Sequence, residues 1–236
     1  MLGKIPSRVY DDPICTREGI VMSGENKTVP VTAAGGILYA EELRTLADLA
    51  ERFGDGRVLL TTRQTVEFTG VENETGLRDA LKAHGLTAAP TGTRVRSIVC
   101  CKATLCSRGL LDSFAVAAAL QERFTVGWRD TPLPHKCNIA VGGCPNNCAA
   151  HRLNDIGVEG VRGGYRLYLG GRGGRKAVVG RPLPSVFPTL GAVMDCIEAI
   201  LRFYKENALP RERLGAMLER MGYAVLEQEL AIQLEE

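Results

Sequence analysis

Eight cysteines punctuate this 236-residue chain, and six of them, Cys100, Cys101, Cys106, Cys137, Cys144 and Cys148, fall within about a fifth of it. Cys15 and Cys196 stand alone. Cys100-x5-Cys106 and Cys144-x3-Cys148 together offer four thiolates from two loops, and four soft thiolates suit zinc or an iron–sulfur cluster. Structural zinc sites favour two to four residues between paired ligands, so the five-residue gap leans toward a cluster, whose bulk tolerates wider spacing. Cys101 competes with Cys100 as first ligand, at x4 spacing. Cys137, in or beside a strand, reads as core. The small polar residues of Cys144-Pro145-Asn146-Asn147-Cys148 give their thiols no apolar wall, which argues against ordinary buried cysteines.

The two loops need a frame. Thr93 to Val99 reads as a strand that delivers Cys100 to a sheet edge, and Gly109 to Phe124, rich in Ala and Leu, reads as a helix. A second strand, Asn138 to Val141, ends at Gly142-Gly143-Cys144-Pro145, where small residues let the backbone approach a neighbour closely. Upstream, a β-branched run from Val29 ends in Gly35-Gly36. Leu43, Leu46, Ala47, Leu49, Ala50 and Phe53 then recur at helical spacing within Glu41 to Phe53, and Gly54 stops the helix. Arg57 to Thr62 and Thr65 to Val71 read as strands, and Leu77 to His84 as a second helix closed by Gly85. Strand, helix, strand, strand, helix predicts a small ferredoxin-like sandwich over residues 29–90. Residues 1–28 read as an irregular arm and 91–187 as the cysteine-bearing domain. There Tyr165 to Gly170 and Lys176 to Val179 suggest a hairpin. The Gly-rich stretch between them is a turn rather than a phosphate loop, because no helix N-terminus follows it. Residues 188–236 hold two helices, Leu190 to Asn207 and Arg211 to Met221.

Composition narrows the functional classes. Lys plus Arg number 29 and Asp plus Glu 27, a net charge of +2 that is too even for a general nucleic-acid or membrane-surface binder. Hydrophobic residues at 45% and charged residues at 24% describe an ordinary globular chain. No stretch nears the roughly 20 apolar residues that span a bilayer, and Met1 to Pro6 lacks the apolar middle of a signal peptide. The expectation is a cytoplasmic protein with reduced thiols and no membrane or nucleic-acid partner.

Cys100-x5-Cys106 with Gly143-Cys144-Pro145-Asn146-Asn147-Cys148 and Asn154-Asp155-Ile156-Gly157 resembles the sulfite and nitrite reductase family, which joins a sirohaem to a 4Fe-4S cluster. Thr61-Thr62-Arg63-Gln64-Thr65, Gly35-Gly36, Arg96-Ser97-Ile98 and Leu133-Pro134-His135-Lys136 fall in the family's order, so the resemblance covers about residues 29 to 222. It implies an α+β fold, a ferredoxin-like half-domain followed by the sirohaem and 4Fe-4S domain. It further implies that Cys100, Cys106, Cys144 and Cys148 hold the cluster, that Cys148 also bridges to the sirohaem iron, and that Arg63, Arg96 and Asn146 touch the sirohaem. Arg94, Lys102, Arg108, Arg152 and Arg172 lie near these motifs as further candidates for its carboxylates.

The activity implied is six-electron reduction of sulfite to sulfide, with nitrite to ammonium second. Arg96 and Lys136 match the family's anion-binding positions. Asn138 stands where a second lysine is expected, as in the family's nitrite reductases, and Pro30 and Thr32 occupy the stretch that should supply another arginine. A non-catalytic protein of electron transfer or sirohaem handling competes with the enzyme reading. No flavin or nicotinamide fingerprint is present, so electrons are expected from an external protein such as a ferredoxin. Larger members resemble two fused copies of this unit. A two-fold homodimer is therefore expected, with Arg63, Arg96 and Lys136 of one subunit facing the sirohaem held by Cys148 of the other; the alternative is a monomer with both sets on one face.

Overall fold

Val29 and Val31 are buried while Pro30 and Thr32 are half-buried, the period-two pattern that covers one face of a strand. The computed structural model describes residues 28 to 235; the N-terminal arm and Cys15 lie outside the described residues. The first strand, β1 (Val29–Thr32), is followed by α1 (Ala40–Phe53), β2 (Val58–Leu60), β3 (Thr65–Phe68) and α2 (Glu74–Ala83). The three strands form an antiparallel sheet in the order β1-β3-β2. Its inner face, Val29, Val31, Val66 and Phe68, packs against Leu46, Leu49 and Ala50 of α1 and Leu77 and Leu81 of α2. After α2 the chain returns antiparallel to β1, with Thr32 N–H donating to Thr87 O (2.9 Å) and Ala89 N–H to Pro30 O (2.7 Å). The ferredoxin-like expectation holds.

The second unit comprises β4 (Val99–Cys100), α3 (Ser113–Leu120), β5 (Ile139–Gly142), β6 (Ile156–Val161), β7 (Gly164–Leu169), β8 (Arg181–Phe187), α4 (Leu190–Asn207), α5 (Leu214–Met221) and α6 (Tyr223–Glu235). The sheet runs β4-β5-β6-β7-β8, parallel through β6 and antiparallel thereafter. It differs from the sequence expectation in several places: the strand expected over Thr93 to Val99 is ladder-paired only at Val99–Cys100, with an isolated bridge from Val95 to Cys137. The partner of β7 is β8 rather than Lys176 to Val179; Pro182 and Pro184 hide β8 in the sequence, yet an edge strand tolerates proline. Gly157 and Gly160 likewise hide β6, although most of that strand is buried. A third C-terminal helix, α6, follows the two expected. These helices are also no separate unit: Ile197, Ile200, Met217 and Leu218 share one core with Ile139, Val141, Leu167 and Leu169 of the sheet. Among the described residues no helix is long and apolar enough to cross a membrane.

One ion pair fastens this helical layer to the strands. Asp155 is 1% exposed; its carboxylate accepts from Arg213 Nε (2.9 Å) and Nη2 (2.6 Å), and from the Asn138 N–H (2.8 Å). Removing the cation strands a buried carboxylate, a change that costs about 3 kcal/mol or more. Arg213→Met is expected to lower unfolding free energy by about that amount in urea titrations, whereas Arg202→Met, on an exposed pair with Glu198, changes it by less than about 1 kcal/mol.

Candidate metal centre

Adjacent parallel strands release their following loops at the same sheet edge, the usual place for a ligand in such sheets. Here β4 releases residues 101–106 and β5 releases residues 143–148. Leu110 N–H donates to Gly143 O (2.8 Å) and lashes the loops together. Gly143 has no room for a side chain, since an added Cβ would sit 1.8 Å from Ala103 Cβ. In the second loop Asn147 takes a left-handed conformation (φ 57°), which asparagine tolerates, and its Oδ1 accepts from the Arg152 N–H (3.1 Å).

Between the loops lies a cavity of about 490 Å³, lined by Cys101, Cys106, Cys144 and Cys148 together with Cys100, Asn146 and Gln64. Cys106 and Cys148 are exposed and Cys101 and Cys144 are half-buried. Among the described residues no three His, Cys, Asp or Glu side chains converge as ligands of one metal ion. Thiols spaced around a cavity suit the corners of a polynuclear cluster instead, and the donor set is the one such clusters take.

The two candidate first ligands differ sharply. Cys100 is 2% exposed, pairs in register with Val141 and donates its S–H to Gly35 O (3.3 Å); burial pushes its thiol up to about 11. Cys101 points the other way, and its Sγ accepts the Gly143 N–H (3.2 Å). The reason is one extra residue. Val95 bridges Cys137 and Val99 pairs with Ala140, so four steps along one strand match three along the other, and the side-chain phase flips between Arg96 and Val99.

Backbone groups near this irregularity find partners that sequence reasoning missed. Ile98 N–H donates to Gln121 Oε1 (3.0 Å). Gln64 clamps Cys100 from both sides, its Nε2 donating to Cys100 O (2.7 Å) and its Oε1 accepting from Cys100 N–H (2.9 Å). Gln64 was legible only as part of Thr61-Thr62-Arg63-Gln64-Thr65. Arg63, expected at the sirohaem, donates from Nη2 to Ser97 O (2.6 Å) and from Nη1 to Asn154 Oδ1 (2.9 Å), with a buried, unpartnered Nε. Burial and then the Arg96 charge pull its pKa down to about 10.

The residues expected at the anion lie elsewhere. Lys136 and Asn138 flank the buried Cys137 and project to the opposite side, Lys136 exposed and Asn138 half-buried. Arg96 is half-buried on the neighbouring segment, its N–H donating to Cys137 O (2.9 Å). All three precede β4 or β5 while the thiols follow them, a separation of roughly 15 Å along the strands. Of the other cations near the motifs, Arg152 is committed to the buried Glu159 at 2.5–2.8 Å, and Arg172 Nε donates to Lys176 O (3.3 Å). Cys137 is core, as expected.

Residues 91–236 match the family described as the nitrite and sulphite reductase 4Fe-4S domain, and residues 22–84 match the nitrite/sulfite reductase ferredoxin-like half domain. The chain is 32% identical over 233 residues to an NAD(P)H nitrite reductase of Bacillus subtilis, covering 94% of this chain and 28% of that protein. It is 26% identical over 212 residues to an assimilatory-type sulfite reductase of Nitratidesulfovibrio vulgaris, covering 85% of this chain and 89% of that protein. The chain spans half or less of the length of three of its relatives, the Bacillus protein among them. A solved dissimilatory sulfite reductase I shares the fold with a TM-score of 0.78 at 15% identity, over 86% of this chain and 68% of that one. Each of the two sequence modules therefore falls on one of the two folded units, in the family's order, and the chain belongs to the nitrite and sulphite reductase family of oxidoreductases.

Proposed function

We propose that the chain is a sirohaem-dependent reductase that converts sulfite to sulfide. The observation that carries this is the thiol-lined cavity at the carboxyl ends of β4 and β5, whose size and donor set fit a 4Fe-4S cluster. In this reading Cys106, Cys144, Cys148 and one of the Cys100–Cys101 pair hold the cluster, Cys148 also faces the sirohaem, and Asn146 lies at its edge. When bound, the coupled cofactors supply several electrons to one substrate atom, which a six-electron reduction requires. Arg96 and Lys136 hold the oxyanion, and Lys136 Nζ carries a proton to give as the S–O bond breaks. Sulfite is placed first because the relative of matching length is named a sulfite reductase. Asn138 favours nitrite as the second reading, since sulfite is partly a dianion and a neutral amide offers it less charge than a lysine.

The separation of the anion residues from the thiols supports a homodimer in which one subunit's Arg96 and Lys136 serve the other's cofactors. The exposed edge strand β2, with Leu60 83% and Leu59 50% exposed, offers an apolar seam for such pairing. An external electron-donor protein is part of this reading, and a ferredoxin is the donor named for a Haloferax mediterranei nitrite reductase, a relative 31% identical over 200 residues.

Anaerobically purified protein is expected to show sirohaem absorption and to reduce sulfite with an artificial donor; sirohaem bands without turnover of sulfite or nitrite would select the non-catalytic reading. Cys106→Ser and Cys144→Ser are each expected to lose bound iron and acid-labile sulfide by at least about tenfold, and full retention in both would refute the cluster. Lys136→Met is expected to cut turnover while leaving iron and sirohaem content unchanged. Asn138→Lys adds one charge where a partly dry Coulomb pair is worth about 1–3 kcal/mol net, so the ratio of sulfite to nitrite kcat/KM is expected to rise by about tenfold.

A further inference from the structure

We infer that Cys101, not Cys100, is the first thiolate ligand of the cluster, so that this chain binds it through Cys101-x4-Cys106 rather than through the x5 spacing of its motif. The inference rests on the cluster reading above and goes beyond it by naming the atom. Three independent features of the geometry carry it.

The first is direction. The extra residue between Val95 and Val99 resets the alternation of the strand, so Cys100 falls in phase with Val141 and joins the core beside Ile98, Val116 and Ala117. The next residue projects its side chain to the other side, toward Cys106, Cys144 and Cys148, so that Cys100 borders the cavity but its sulfur points to Gly35.

The second is occupancy of the Cys100 sulfur. Its S–H donates to Gly35 O, and Gly35 is held in the left-handed region at φ 63° with the space for a Cβ only 3.3 Å from that sulfur. A carbonyl oxygen needs a proton donor opposite it, whereas ligation to iron requires the proton to leave. Turning the Cys100 sulfur to the cavity would break this bond, while the Gln64 clamp holds the Cys100 backbone in place on both sides.

The third is the environment of the Cys101 sulfur, which receives the Gly143 N–H at 3.2 Å. An amide N–H aimed at sulfur is the kind of contact that tunes cluster sulfurs. It comes from the residue just before Cys144, so it ties the first ligand of one loop to the first ligand of the other. The Cys101 backbone is fixed on both sides, its N–H donating to Val141 O (3.1 Å) and its carbonyl accepting from Ser113 Oγ (2.6 Å).

The test compares Cys100→Ala and Cys101→Ala in the anaerobically purified holoprotein, with iron and acid-labile sulfide per chain as readout. Cys106→Ala runs beside them as the control for the cluster itself. Cys101→Ala and Cys106→Ala are expected to lose at least about tenfold of both, with Cys100→Ala keeping the parent content. Loss from Cys100→Ala with retention by Cys101→Ala, loss from both, or retention by both overturns the assignment. Retention by Cys106→Ala instead refutes the cluster reading on which it rests. Should Cys100→Ala fail to fold by circular dichroism, iodoacetamide mapping of the parent apoprotein decides the question. Cys101 is expected to alkylate at the rate of Cys106 and Cys100 at least about tenfold more slowly, as the burial of its sulfur dictates; equal rates, or a faster Cys100, overturn the inference.

Discussion

One unpaired residue in the strand leading to β4 sets which side chains meet the site and which enter the core. A strand's side chains alternate with period two, so a single insertion exchanges the two faces for everything beyond it. Upstream of the insertion, Val95 faces the core and Arg96 faces away; downstream, Cys100 faces the core and Cys101 the cavity. An insertion also unpairs backbone groups, and buried ones must be satisfied. Gln121, from the start of a π-helical turn that extends α3, takes the Ile98 N–H. Arg63 and Gln64 reach across from the ferredoxin-like unit to Ser97 O and to both backbone groups of Cys100. The same defect that orients the thiol thus welds the two units, which is why a motif in the first unit accompanies cysteines in the second.

Below the second loop the support is ionic. His151, Arg152 and Glu159 form a knot in which Glu159 is 1% and His151 0% exposed. Burial alone would raise the Glu159 carboxyl, but hydrogen bonds from His151 and Arg152 outweigh it and hold it below its ordinary range. Burial lowers His151 more than Glu159 raises it, so the ring is neutral beside an ionised carboxylate at pH 7. This arrangement fills the space beside Gly142, where an added Cβ would lie 2.0 Å from His151 Nδ1. A larger residue at position 142 would displace the ring, and with it the chain just after Cys148. The paired glycines Gly142 and Gly143 therefore serve different neighbours: one makes room for the ionic knot, the other for the first loop.

The parts of this design that follow sequence-local rules were legible before the structure. The helices α1 and α2, with their apolar spacing and closing glycines, and the paired cysteine loops were plain in the sequence, because period and spacing are properties of neighbours along the chain. The strands β6 and β8 were hidden because glycine and proline carry opposite local preferences, which burial and an edge position override. Spacing left Cys100 and Cys101 in competition because it says nothing of phase. Phase depends on pairing with β5 some forty residues away, and one extra residue there changes the answer. Arg63 was recognised as important, but its partners are a carbonyl in the irregular stretch and Asn154, contacts across 34 and 91 residues of sequence.

The two ends of β4 and β5 carry opposite chemistry. Soft thiols gather at the carboxyl ends, and the hard, oxyanion-seeking Arg96 and Lys136 stand at the amino ends with Asn138. A sheet cannot fold back on itself to join its own two ends, since the strands between them are pinned by ladders on β5 and β6 and by the core beneath. On the proposed reading, in which Arg96 and Lys136 hold the oxyanion, they would reach a substrate at the thiol end of a second unit of the same build rather than at their own. A two-fold pair, as proposed, would supply that arrangement at no further cost in sequence, because each copy would present its thiol end to the other's cations and receive the same in return. Arg63 stands between the two ends: its Nη1 and Nη2 bond Asn154 and Ser97 within the chain while its Nε has no partner, so Arg96 and Lys136 are the cations least committed to internal bonds in the proposed arrangement.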